Sequence, residues 1–210
     1  MTRYRNLLVM TIVLAALFVE GDVWAGPPTE QLKASIDRVV KALEDPVLKG
    51  EGKALDRRIR VRSIANDIFD WAETAKRSLA RHWQPLSDAQ REEFVKLFGD
   101  LLERSYVSKI EQYGGEKVVW VSESVADDLA TVRTKVITKQ GVDVPIDYHM
   151  FRRGDRWLVY DVVIENVSLV NNYRTQFNRI IQTSSYQDLI TKMRTKLEES
   201  RYGESSAAKR

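Results

Sequence analysis

Residues 117–165 read KVVWVSESVADDLATVRTKVITKQGVDVPIDYHMFRRGDRWLVYDVVIE. Four stretches are rich in Val, Ile, Thr and aromatic residues: Lys117 to Ser122, Leu129 to Thr138, Val142 to Arg153 and Trp157 to Glu165. Such side chains fit a pleated, half-buried surface. Asp127-Asp128, Gln140-Gly141 and Arg153-Gly154-Asp155 separate them, and these are turn formers. Connections this short join antiparallel neighbours. The segment therefore predicts a four-stranded antiparallel meander. Its last strand is apolar at nearly every position. Simple alternation sends Trp157, Val159, Asp161 and Val163 one way and Leu158, Tyr160, Val162 and Ile164 the other. A sheet with one wet face would alternate apolar with polar. Two readings stay open: a central strand covered on both sides, or a strand with one face on an internal apolar cavity.

On either side of this segment the period is helical. Leu32, Ile36, Val39, Val40 and Leu43 mark a helix that ends near Asp45-Pro46. Leu48 to Asp56 contains two Gly and reads as a loop, with a short helix from Arg57 to Ile64. Asp67 or Asp70 caps the next helix, which runs to about Arg81. After Pro85, Ser87 and Gln90 form a capping box for a strong helix. Its apolar face is Phe94, Leu97, Phe98, Leu101, Leu102, Tyr106 and Ile110, and Gly114-Gly115 ends it. Beyond Asn166 two more helices are expected, from Leu169 or Asn172 to about Thr183 and from Ser185 to Glu198. The small polar tail, residues 201–210, is expected to be disordered. Helices, sheet, helices is an α+β order: a four-stranded antiparallel sheet packed against a helical layer, in one domain over residues 26–200.

Composition excludes several function classes. The chain has 210 residues, 43% hydrophobic and 30% charged, a globular balance. Residues 1–25 read as a secretory signal peptide: Arg3 and Arg5, an apolar run from Leu7 to Phe18, then Val23-Trp24-Ala25 before Gly26. There is no cysteine, so neither disulfides nor thiolate chemistry enter. Two His make a zinc site unfavourable. The net charge of +3 suits docking on acidic headgroups or an acidic partner. No basic tract with interleaved aromatics points to nucleic acid. There is no phosphate-cradling Gly loop, no G-x-S-x-G elbow and no metal cluster, so no cofactor is called for. His82, at a helix end, and the Asp147–His149 pair on one strand face are the acid–base candidates. Each has a simpler role, complementing the helix dipole or pairing in solvent.

Several segments, in order, resemble the MlaC (toluene-tolerance auxiliary) family of exported lipid-binding proteins. They include Phe69-Asp70-Trp71, Ser78-Leu79-Ala80-Arg81-His82-Trp83, Gln90-Arg91-Glu92-Glu93-Phe94 and Ser105-Tyr106. Val144-Pro145-Ile146-Asp147-Tyr148, Trp157-Leu158-Val159-Tyr160-Asp161-Val162, Val167-Ser168-Leu169-Val170 and Asn172-Tyr173-Arg174 continue the match, over about residues 30–197. Asn166 stands where the family often has Gly; Asn tolerates a left-handed backbone. The resemblance implies a periplasmic carrier, not an enzyme, with an apolar pocket for phospholipid tails between helices and sheet. It implies exchange with an outer-membrane lipoprotein complex and an inner-membrane ABC transporter complex bearing an MCE-domain protein. By position it places Tyr106 and Val167 at the pocket. Reading of faces adds Trp71, Leu79, Phe98, Leu102, Tyr148, Val163, Val170 and Phe177. A hopanoid is the alternative ligand. A scaffold bridging membrane complexes, and an enzyme using His149, Asp147 or His82, are the competing readings. Arg57, Arg58 and Arg60 are candidates for docking a partner.

Overall fold

The computed structural model describes residues 26–50 and 52–207. The signal peptide expected over residues 1–25 lies outside them. Helix α1 (Pro27–Glu44) opens on two prolines, whose missing N–H groups have no partner in a first turn anyway. Gly26 offers no capping side chain. Glu123 does so from a strand: its carboxylate accepts from Thr29 N at 2.8 Å and Thr29 Oγ1 at 2.5 Å. A negative charge is favourable at that end of the helix dipole. Asp45 then accepts from Val47 N and caps α2 (Pro46–Lys49), a single turn. Helix α3 (Ala54–Ile68) runs back along α1, where Arg38 meets Asp67 at 2.6 Å. The expected loop over Leu48 to Asp56 is thus partly helical, and α3 is longer than Arg57 to Ile64. Val61, Ile64 and Ile68 bury one face of it.

Asp70 caps α4 (Trp71–Leu79) by accepting from Glu73 N at 2.8 Å. The helix ends before Arg81 because Ala80 takes a positive φ of 49°, and residues 80–82 form a 3-10 turn. The capping box of α5 (Asp88–Glu111) forms as expected: Ser87 N donates to Gln90 Oε1 at 2.9 Å, and Gln90 N donates to Ser87 Oγ at 3.3 Å.

The sheet consists of β1 (Lys117–Ala126), β2 (Leu129–Ile137), β3 (Asp143–Arg153), β4 (Arg156–Ile164) and β5 (Val167–Ser168). They lie in chain order and all pair antiparallel. The sheet has five strands, not four. The fifth is only two residues long and follows a turn in which Glu165 and Asn166 both take positive φ. No periodicity can be read from two residues.

A bulge corrects the simple alternation expected for β4. Met150 pairs with Val159 and His149 with Asp161, so Tyr160 is an extra residue. Beyond it the faces exchange. Val162 and Ile164 join Trp157 and Val159, together with Ile146, Tyr148 and Met150 of β3, on the helix-facing side. Asp161 and Val163 pair with His149 and Asp147 on the other side.

Ser168 caps α6 (Leu169–Thr183) by accepting from Asn171 N at 3.0 Å. Helix α7 (Tyr186–Ala207) continues through Arg201, where a disordered tail is expected.

Two apolar clusters result. One is helical: Ala75, Leu79, Phe94, Phe98, Leu101, Leu102, Phe177, Leu189, Ile190 and Met193 join α4, α5, α6 and α7. Its centre is aromatic, with Phe98 and Phe177 5.2 Å apart edge to face and Phe94 and Phe177 at 5.5 Å. The other lies on the sheet, where Leu32 and Ile68 cover Ala130, Val132, Met150, Trp157, Val159 and Val162. Chain direction gives the molecule two ends. At one, α1 begins against Glu123, and Arg156 donates to the Asp67 carbonyl. At the other lie the end of α1, α2, the start of α3, the end of α5, the start of β1 and the β4–β5 turn. Tyr113 beside Glu44, and Glu165 N donating to the Pro145 carbonyl at 3.0 Å, tie that end together.

Candidate functional site

Helix α5 packs along α3, α4 and α7 and makes no extended contact with the sheet. The edges of the two clusters are the candidate walls of a gap between it and the sheet. From the sheet come Trp120, Ile146, Tyr148 and Ile164, all half-buried. From the helices come Tyr106 and Tyr173, also half-buried. Helix α6 links the walls: Leu169 belongs to the sheet cluster and Tyr173 and Phe177 to the helical one.

The three tyrosines characterise the gap. Desolvation pushes the Tyr148 phenol up to about 12, and no other group acts on it. Its side chain nevertheless keeps accessible surface. Both hold together where that surface faces an enclosed concavity instead of bulk water. Burial raises Tyr106 too, with Tyr173 adding to it, and burial raises Tyr173 against a hydrogen bond with Ser105. Neutral phenols of this kind are amphipathic: an apolar ring and one polar handle.

The residues singled out in the sequence divide into four groups. Tyr106, Tyr148 and Trp71 are half-buried at the cluster edges, and Trp71 stacks on Phe69 at 4.9 Å. Leu79, Phe98, Leu102 and Phe177 are packed in the helical core at 1–6% exposure, and Val170, near the start of α6, is likewise buried, with little surface left for a ligand. Val167 is 56% exposed at the rim, opposite Ile164 in the β4–β5 pair. Val163 lies on the far face, because the bulge turned it there. Trp120, Ile146, Ile164, Leu169 and Tyr173 were not singled out. The inward positions of Trp120, Ile146 and Ile164 follow from strand register, which the bulges in β1 and β4 displace, whereas Leu169 and Tyr173 lie on α6.

One polar feature holds the rim in place. Asp161 is buried; its Oδ2 accepts from Ser168 Oγ at 2.5 Å and its Oδ1 from Val170 N at 3.0 Å. Burial acts to raise this carboxyl, but bonds from His149, Ser168 and Val170 outweigh it and hold the group below the usual carboxylate range. His149 Nδ1 stands 3.7 Å from Asp161 Oδ2. The expected pair with Asp147 does not form; Asp147 faces Arg133 at 3.6 Å. His82 lies 3.0 Å from Asn178 Oδ1 at the end of the 3-10 turn. A separate open groove of about 340 Å³ lies around the β1–β2 turn, with Ser124, Thr131, His149 and Tyr160 on its walls. Val125, Leu129 and Ala130 also line it, but it is too open to shelter an alkyl chain.

The model of the MlaC protein family matches residues 33–195. The chain belongs to the MlaC family. A curated member, the intermembrane phospholipid transport system binding protein MlaC of Haemophilus influenzae, is 28% identical over 138 residues. That match covers 62% of this chain and spans 64% of the length of that MlaC. Among solved structures, the phospholipid-binding protein of Ralstonia solanacearum in complex with a phospholipid superposes with a TM-score of 0.75 at 22% identity. It covers 84% of this chain and 99% of its own. The α+β architecture is therefore that of the MlaC family.

Proposed function

We propose that this chain is a periplasmic phospholipid carrier that holds acyl tails in the gap between α5 and the sheet. The observation that carries the reading is the Tyr148 environment, desolvated yet accessible, between two apolar walls. The family and the phospholipid-binding names of its similar proteins support it. Exposing a methylene to water costs about 0.8 kcal/mol, so two chains of roughly fifteen methylenes cost about 24 kcal/mol. A carrier must hide most of both tails, whereas the headgroup can remain in solvent. The walls must therefore part to admit lipid, and α6, the one helix with members in both clusters among the described residues, is the element about which they part. Tyr106, Tyr148, Tyr173, Trp120, Ile146 and Ile164 contact the tails, and Val167 stands at the rim. The partners are an outer-membrane lipoprotein complex that exchanges lipid with the carrier and an inner-membrane MCE-domain ABC transporter. No covalent step is assigned to this chain.

Native mass spectrometry of the exported chain, followed by lipid extraction, tests the reading. A stoichiometric adduct of phospholipid mass is expected; a hopanoid mass changes the ligand class. Bare protein that also takes up no lipid from vesicles overturns the carrier. The H82Q/H149Q double variant is expected to retain its lipid. Its loss from a folded variant would favour the enzyme reading.

A further inference from the structure

We infer that the elbow formed by α2 and the start of α3 docks the protein on an anionic bilayer surface. The inference rests on the carrier reading for its purpose but on separate residues for its evidence. Val47, Leu55 and Ile59 are 72%, 66% and 58% exposed, among the most exposed large apolar side chains described. Leu55 and Ile59 are four residues apart and so share one face of α3. At 100° per residue that face lies opposite Val61, Ile64 and Ile68, so no repacking of α3 could bury both sets. Arg57 Nη1 donates to the Leu48 carbonyl at 2.9 Å and holds α2 against α3.

Charge selects the occupant. The segment from Pro46 to Arg62 contains Lys49, Lys53, Arg57, Arg58, Arg60 and Arg62 against Glu51 and Asp56; Lys53 pairs with Asp56 and Arg62 with Asp100 and Glu103, while, among the described residues, Lys49 and Arg60 stand exposed outside such pairs. Its balance of +4 exceeds the +3 of the whole chain, so the remainder is slightly acidic. Aliphatic side chains standing out among cations are the composition of an interfacial anchor: the apolar tips enter the headgroup boundary and the cations meet lipid phosphates. A neutral apolar partner would leave Lys49 and Arg60 unmet, and an acidic polar one would leave Val47, Leu55 and Ile59 in water.

The position fits the purpose. Helix α5 ends at this end of the molecule, where Ile110 is 38% exposed one turn beyond Tyr106. Tyr113 beside Glu44 brings that end against the end of α1, from which α2 follows directly. Docking through the elbow therefore sets the mouth of the gap near the lipid surface.

Co-sedimentation of the exported chain with phosphatidylcholine vesicles, with and without phosphatidylglycerol, tests this. Binding is expected only to the anionic vesicles and falls with added salt. L55S/I59S and, separately, K49E/R60E are expected to weaken it by more than roughly tenfold. Both variants change exposed side chains, and circular dichroism checks their fold. Their co-purified lipid is expected to be unchanged, which separates this surface from the gap. Wild-type binding that ignores phosphatidylglycerol, or that neither variant weakens, overturns the inference. So does a variant that binds vesicles normally but loses transfer to membranes carrying the transporter, since the elbow would then meet a protein.

Discussion

Asp161 gathers two hydrogen bonds, from Ser168 at the end of β5 and Val170 in the first turn of α6, and these flank the turn that carries Val167 at the rim. A carboxylate near a helix N-terminus also meets the positive end of the dipole. Asp161→Asn keeps the shape and removes the charge. It is expected to cost about 1–3 kcal/mol at pH 7 in urea unfolding, the range for a charged hydrogen bond. Because the native carboxyl is depressed, its stabilisation is complete above the ordinary value of about 3.9 and disappears as pH falls through the lowered one. The difference between wild type and variant should therefore shrink as pH falls below about 3.9; a constant difference would refute this role. Tyr148 and Tyr186 shift the other way, both up to about 12 by burial. Groups raised in the native state contribute fully below the unfolded pKa of about 10, and that contribution is lost as pH rises through 12. Stability should hold to about pH 10 and then decline, less steeply in Tyr148→Phe. Lipid content should not change between pH 6 and pH 9 if the phenols act as neutral handles.

At the scale of elements, ends are set by single residues and faces by register. The capping box of α5 shows the first: Ser87→Ala is expected to cost about 1 kcal/mol, read in thermal unfolding, and to leave bound lipid untouched. Ser87, Asp70 and the Gly114-Gly115 stop could be recognised directly because a cap is a local interaction. Glu123 as the cap of α1 could not, since it lies 94 residues from Thr29. Register was the less legible part. Val163 was expected to line the pocket and Ile164 was not, because one extra residue at Tyr160 exchanges the faces. Helix α2 and strand β5 escaped periodicity altogether, being four and two residues long.

Over the whole molecule, the class and the chain order of the layers were legible, since period 2 and period 3.6 alternate along the chain without ambiguity. The gap was not. Phe98, Leu102 and Phe177 form an apolar stripe like any ligand wall, yet they fill a core. Whether a stripe packs or lines depends on the spacing between α5 and the sheet, and no stretch of sequence encodes that distance locally. A ligand between the layers binds only the folded state. At a free concentration a thousand times its Kd it should add about 4.1 kcal/mol of stability. Delipidated protein should melt lower than protein isolated with lipid, and the difference should return when vesicles are supplied. Equal melting temperatures would place the lipid outside the two cores.

The extra residue at Tyr160 also has a bearing on what changes this chain can accept. Removing it would let Asp161 follow Val159 directly, still opposite His149, so the bulge closes while Val162 and Ile164 stay inward and Val163 outward. Substitution or single-codon deletion at that site therefore keeps the faces and the bond from Ser168 to Asp161, whereas one residue inserted after Asp161 would turn Val162 and Ile164 outward. At this point of the chain, tolerance should extend to many residue types and to the loss of one residue, but not to a residue gained beyond Asp161.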